Sequence, residues 1–157
     1  MKFDIEKTCA VTGHRSVGDD LNLVKLKSYF SQLIDRGVEN FLVGMAVGFD
    51  MICFDVLSEL KQELKGKKQV KIVACVPCKG QDAYFSESQK IAYKKALKTA
   101  DEVIVLKEKY TPKCMIERNS FMVDNAKYLV CYLRKNSGGT FYTVNYAKRL
   151  SRLIAEV

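Results

Sequence analysis

Short apolar, β-prone runs alternate with stretches whose apolar residues recur at helical spacing, and this alternation restricts the chain more than any other feature. A strand buried on both faces reads as an unbroken apolar run. A helix laid over it shows an apolar stripe with a period near 3.6 residues. The runs at 8–12, 40–43, 70–76, 102–106 and 128–133 are the expected strands. Leu23, Leu26, Phe30, Leu33 and Ile34 mark a first helix that Gly37 stops, and Ile52, Cys53, Val56, Leu57, Leu60 and Leu64 mark a second that Gly66 breaks. A third helix is expected over 86–98 with Ile91, Ala92, Ala96 and Leu97 inward. A short fourth falls within 110–124, and a last one opens at Gly139 with Val144, Ala147, Leu150 and Ile154 inward. Strand–helix alternation of this kind builds a mostly parallel sheet, here of about five strands, with helices on both faces: a three-layer α/β/α sandwich.

The chain has 157 residues, which suits one domain over 1–157. No apolar run approaches the ~20 residues of a membrane helix, and residues 1–7 lack the apolar centre of a secretory leader. A cytoplasmic protein without a membrane partner is expected. The net charge of +8 invites a nucleic-acid partner. Its distribution argues for a solvated face instead: Lys61, Lys65, Lys67, Lys68 and Lys71 surround a helix end, and Lys90, Lys94 and Lys98 form one helical stripe. No aromatic-rich basic ribbon for stacking bases is evident.

Six cysteines are scattered, and Cys9, Cys75 and Cys131 lie inside strand-like runs, as buried thiols do. Cys75-Val76-Pro77-Cys78 is a C-x-x-C, but the chain has a single histidine, His14, and no second cysteine pair to complete a zinc site. Neither a metal nor a required cofactor is expected.

Three glycine-bearing junctions fall where an apolar run ends and a helical pattern begins. In an open parallel sheet, ligands bind beyond the carboxyl ends of the strands. A helix that starts after a glycine turn offers free N–H groups to an anion. The first junction is Gly13-His14-Arg15, where Arg15 can pair with a phosphate and His14 can donate to one or act as an acid or base. The second spaces Gly44 and Gly48 ahead of Asp50, which can cap the following helix or accept from a ribose hydroxyl. The third, Ser137-Gly138-Gly139-Thr140, is the strongest phosphate cradle, with Thr143 as a second hydroxyl one turn on. Gly13 and Gly18 have P-loop spacing, but Asp19 and Asp20 stand where Lys and Ser or Thr are needed. No G-x-G-x-x-G occurs either. Glu117-Arg118-Asn119 lies between the second and third junctions on a mostly apolar segment.

Thr12-Gly13-His14-Arg15, the Gly44–Asp50 segment, Glu117-Arg118-Asn119 with Met122-Val123-Asp124, and Ser137-Gly138-Gly139-Thr140 with Tyr146-Ala147 resemble, in this order, the motifs of YpsA-like proteins. These belong to the SLOG superfamily, which includes DprA and the LOG phosphoribohydrolases. The resemblance covers about residues 8–149. It implies a Rossmann-like fold and a nucleotide or nucleotide-derived ligand held by Gly13, His14, Arg15, Gly44, Gly48, Asp50, Arg118, Asn119, Gly138, Gly139 and Thr140. LOG enzymes carry a glutamate after the glycine motif; this chain has Thr143 or Asn145 there.

Three functions follow in order of preference. The first is a non-catalytic sensor-type domain binding a small phosphate-bearing ligand. The second is a nucleoside-phosphate N-glycoside hydrolase using His14, Asp50 or Glu117. The third is DprA-like binding of single-stranded DNA. Small Rossmann-like domains often complete pockets across an interface, so a homo-oligomer is also expected.

Overall fold

The computed structural model describes residues 3–157, so Met1 and Lys2, the start of the segment read for a leader, lie outside the described residues. Its strands are β1 (Thr8–Gly13), β2 (Asn40–Val43), β3 (Lys71–Val76), β4 (Glu102–Val105), β5 (Tyr128–Tyr132) and β6 (Leu153–Glu156). Its α-helices are α1 (Leu23–Asp35), α2 (Phe49–Glu63), α3 (Glu87–Thr99), α4 (Cys114–Asp124) and α5 (Gly139–Arg149). All strand pairings are parallel, in the order β4-β3-β2-β1-β5-β6. The chain therefore runs outward from β1 to β4, then crosses back to the other side of β1. The order reverses between β1 and β5, and such a reversal opens a crevice at the strand ends.

Period-two alternation along the central strands feeds two cores. Cys9, Val11, Phe41, Val43, Ile72 and Ala74 face α1, α2 and α3, packing against Phe30, Leu57 and Tyr93. Their neighbours Ala10, Leu42, Val73 and Cys75 face α4 and α5, packing against Met122, Val123, Val144 and Ala147. The expected three-layer Rossmann-like sandwich is thus present. All six cysteines are buried free thiols. Among the described residues no helix is long and apolar enough to cross a membrane.

Helix ends follow their local chemistry. Asn22 caps α1 by accepting from the Lys25 N–H. Gly37 closes α1 with φ near 101°, its own N–H reaching the Ile34 carbonyl while the Val38 N–H reaches Leu33. Ser86 and Gln89 form a reciprocal capping box at the start of α3.

Two expectations need correction. The inward face of α3 is set by Tyr93 and Ala96, while Ile91 is 68% exposed and Ala92 is also exposed. Tyr93 can be buried because its hydroxyl donates to Gln81 Oε1 at 3.1 Å, a partner that helical periodicity does not reveal. The second correction is a sixth strand. Ile154 belongs to β6, and Leu150 is only the cap of α5, left 36% exposed. The helix stops in a Schellman turn: the Arg152 N–H reaches the Ala147 carbonyl at 2.9 Å and the Ser151 N–H reaches Lys148 at 3.0 Å. The left-handed residue of that turn is Ser151, φ 58°, so no glycine announces the stop.

A side chain at φ near +58° is strained relative to glycine. Ser151→Gly is therefore expected to stabilise the protein by up to about 1 kcal/mol. Urea unfolding should show a higher midpoint with an unchanged slope.

Candidate functional site

A cleft of about 630 Å³ opens over the carboxyl ends of the central strands and is walled by the loops that follow β1 to β5. Gly13, His14, Arg15, Asp50, Arg118, Asn119, Gly138, Gly139 and Thr140 all line it. Of the expected ligand-binding residues, Gly44 and Gly48 are not on its wall.

The glycines of the first two junctions serve close packing. A Cβ on Gly13 would stand 2.4 Å from the Phe49 ring, and one on Gly48 would stand 2.2 Å from the Arg15 carbonyl oxygen. The start of α2 is thereby pressed against the end of β1, and the Phe49 N–H donates to the His14 carbonyl at 3.1 Å. Gly44 leaves room for a charged pair: a Cβ there would lie 2.9 Å from Asp50 Oδ2 and 2.8 Å from Arg118 Cζ.

That pair forms the floor. Arg118, 4% exposed, donates through Nη1 to the carbonyls of Gly44 and Cys75, the latter at 3.2 Å. Its Nε donates to Asn119 Oδ1 at 2.8 Å. The Asn119 amide is thereby turned so that Nδ2 faces the start of α5, 3.9 Å from where a Gly139 Cβ would be. Asp50 sits in the first turn of α2 and does not cap it; Gly48 is the cap residue and has no side chain to offer. Asp50 Oδ2 instead accepts from the Ala46 N–H at 3.2 Å. Burial pushes its carboxyl up to about 6, against the opposing pull of Arg118 and that N–H.

The loop after β1 is clamped from the far side. Tyr132 Oη accepts from the Gly18 N–H at 3.1 Å and donates to Asp20 Oδ1 at 2.7 Å, while Arg134 Nε donates to Asp20 Oδ2 at 2.5 Å. His14 Nε2 accepts from the Arg134 N–H at 2.8 Å, so the ring carries its proton on Nδ1. Burial, then the Lys135 and Arg134 charges, hold its pKa below the usual value and favour that neutral form. Arg15 is exposed, with no hydrogen bond or ion pair among the described residues.

The third junction is open. Gly138 has φ near 93° and Gly139 begins α5; a Cβ on Gly138 would meet nothing within 4 Å. No side chain caps this helix start, so its first N–H groups face the cleft beside Thr140 and Lys135. Thr143 is turned away, its hydroxyl donating to the Gly139 carbonyl at 2.7 Å. Asn145 likewise donates to Phe141, 3.0 Å away. Glu117 leaves the site altogether: it pairs with Lys107 at 3.1 Å on the outer side of α4. A helical period near 3.6 explains this, because adjacent residues Glu117 and Arg118 point about 100° apart.

Sequence reasoning missed the loops after β3 and β4, which bring Gln81, Tyr84, Phe85 and Tyr110 to the cleft, and it missed Met115 at the start of α4 and Lys135. The usable signal was their position just beyond strand ends, because irregular loops carry no periodicity.

Residues 9–153 match the family model described as the YspA SLOG family. The chain is 31% identical over 140 residues to the uncharacterised SPbeta prophage-derived protein YoqJ of Bacillus subtilis, a match covering 80% of this chain and 79% of that one. Its fold resembles DNA processing protein A (DprA) from Streptococcus pneumoniae with a TM-score of 0.68 at 17% identity, over 99% of this chain and 50% of the larger one. DprA from Helicobacter pylori, described for its single-stranded DNA binding mode, gives a TM-score of 0.67 at 14% identity, over 97% of this chain and 65% of that one. The chain thus spans only half to two thirds of these DNA-processing proteins.

Two stability measurements follow from the floor. Gly48→Ala should cost about 2 kcal/mol or more through its clash and its backbone angle, whereas Gly138→Ala should cost only about 1 kcal/mol. Thermal unfolding of the two variants compares them. In the second measurement, folded Asp50 retains a proton up to about pH 6 that the unfolded chain releases near 3.8. Its contribution therefore falls as pH rises through that window, by about 3 kcal/mol, and is flat above it. Asp50→Asn should remove that slope from the pH dependence of urea unfolding.

Proposed function

The chain belongs to the YspA SLOG family, and from that premise we propose that its cleft binds a phosphate-bearing small molecule, a nucleotide or a nucleotide-derived compound, without turning it over. The observation that carries this reading is the bare start of α5. Its free N–H groups open onto the cleft past two glycines, with no side-chain cap. Around it stand the Asn119 amide, fixed by Arg118, and two cations, Arg15 and Lys135, that have no ion-pair partner among the described residues. Helix N-terminus, amide and cations are the donors that an oxyanion recruits.

The site's acidic and neighbouring side chains are occupied elsewhere, which disfavours turnover. Neither Thr143 nor Asn145 supplies one at the position where LOG enzymes carry theirs, and both side chains hydrogen-bond to helix carbonyls. Glu117 pairs with Lys107. His14 holds a backbone N–H through Nε2.

Asp50 keeps a second reading alive. A buried carboxyl lining the cleft, with its pKa pushed up to about 6, is suited to general acid–base work on an N-glycosidic bond. Binding of single-stranded DNA, the property named for the Helicobacter pylori protein, is distinguished by a steep fall in affinity with salt, since many phosphates would be neutralised at once.

Isothermal titration against nucleoside mono-, di- and triphosphates and ADP-ribose is expected to show binding of at least one. Arg15→Ala and Lys135→Ala should each weaken it about tenfold, the loss of one charge-assisted contact. No binding by the intact protein to any of them would overturn the reading. Chromatography of the same mixtures is expected to show no base release. Release abolished in Asp50→Asn would establish the hydrolase instead.

A further inference from the structure

We propose that the far end of the cleft, between Tyr84 and Tyr110, holds a planar heterocyclic ring of the ligand whose phosphate lies at α5; the proposal rests on the preceding reading of the cleft. The strand order acts as a ruler. Neighbouring strands lie ~4.8 Å apart, and along the carboxyl edge they run β5, β1, β2, β3, β4. Gly138–Thr140 follow β5, Arg15 follows β1, Asp50 begins the helix after β2, Tyr84 follows β3 and Tyr110 follows β4. Three spacings separate the oxyanion end from the β3 loop, ~14 Å, and a fourth reaches the β4 loop. That span is the reach of an extended nucleoside phosphate. The order of chemistry along it is donors and cations, then a lone carboxylate, then aromatic rings. A nucleoside phosphate presents phosphate, sugar hydroxyls and base in the same order.

The two tyrosines have no other visible occupation. Tyr84 is fully exposed at 101% and Tyr110 is 67% exposed. Neither has a hydrogen bond or ring partner among the described residues. They rise from two different loops at one mouth, with Phe85 behind them, edge-on to the Tyr93 ring at 5.4 Å. Aromatic side chains set in this way offer a stacking surface that accepts any flat ring. The exposed cations that line the cleft, Arg15 and Lys135, lie toward the α5 end, so a ring stacked between the tyrosines adds affinity that a phosphate without a base lacks.

The chain contains no tryptophan, so Tyr84→Trp creates a single indole at the proposed subsite. AMP, GMP, CMP, UMP and ADP-ribose are titrated against ribose 5-phosphate, with binding also followed by calorimetry on the unmodified protein. At least one base-bearing probe is expected to bind at least tenfold more tightly than ribose 5-phosphate and to quench the indole, while ribose 5-phosphate leaves the fluorescence unchanged. The double variant Tyr84→Ala, Tyr110→Ala should lose that advantage and keep its affinity for ribose 5-phosphate. Both residues are exposed, and circular dichroism checks that the fold survives. Equal affinity for ribose 5-phosphate and the nucleotides, or an advantage retained by the double variant, overturns the aromatic subsite while the phosphate site stands. Failure of every probe to bind overturns both.

Discussion

The site end of this fold depends on one buried guanidinium. Strands β2 and β3 end side by side, and the carbonyls of Gly44 and Cys75 point into a place that water reaches poorly. Buried carbonyls need donors. Arg118 reaches across from α4 and donates to both, and Gln81 Nε2 joins it at Gly44, 3.0 Å away. Taking a cation out of water also carries a penalty, which Asp50 offsets across Gly44. One residue thus ties a helix from one face of the sheet to strand ends served by α2 on the other face, and orients Asn119 in passing. Stability and site geometry are not separable here, because the same side chain provides both.

The charge arrangement follows from this. The fixed carboxylate and the fixed guanidinium largely answer each other on the floor of the cleft. Arg15, Lys135 and the bare start of α5 answer nothing within the protein. Unanswered positive charge therefore lines the α5 end of the cleft, and a ligand that carries its negative charge at one end would be drawn there with that end first.

The sheet was legible in the sequence because β1, β2, β3 and β5 are buried on both faces and read as unbroken apolar runs. β6 was hidden for the opposite reason: it is an edge strand, Leu153 is half exposed, and Ser151 turns the chain without a glycine. The phase of α3 was misjudged because the buried residue there is a tyrosine that needs Gln81 as a partner, a contact between elements that no local pattern encodes. The strand-end junctions were found through their glycines. Tyr84 and Tyr110, on loops without periodicity, were not.

Glycine in this chain does two jobs that a motif writes in the same letter. At Gly13 and Gly48 it makes space for the protein's own Phe49 and Arg15; at Gly138 and Gly139 it leaves space unfilled. A relative with no ligand at α5 would be free to replace the second pair and would still be bound to keep the first. Inheritance of the early glycines therefore traces the ancestry of the scaffold, and retention of the late pair is the better sign that a relative still has something to hold.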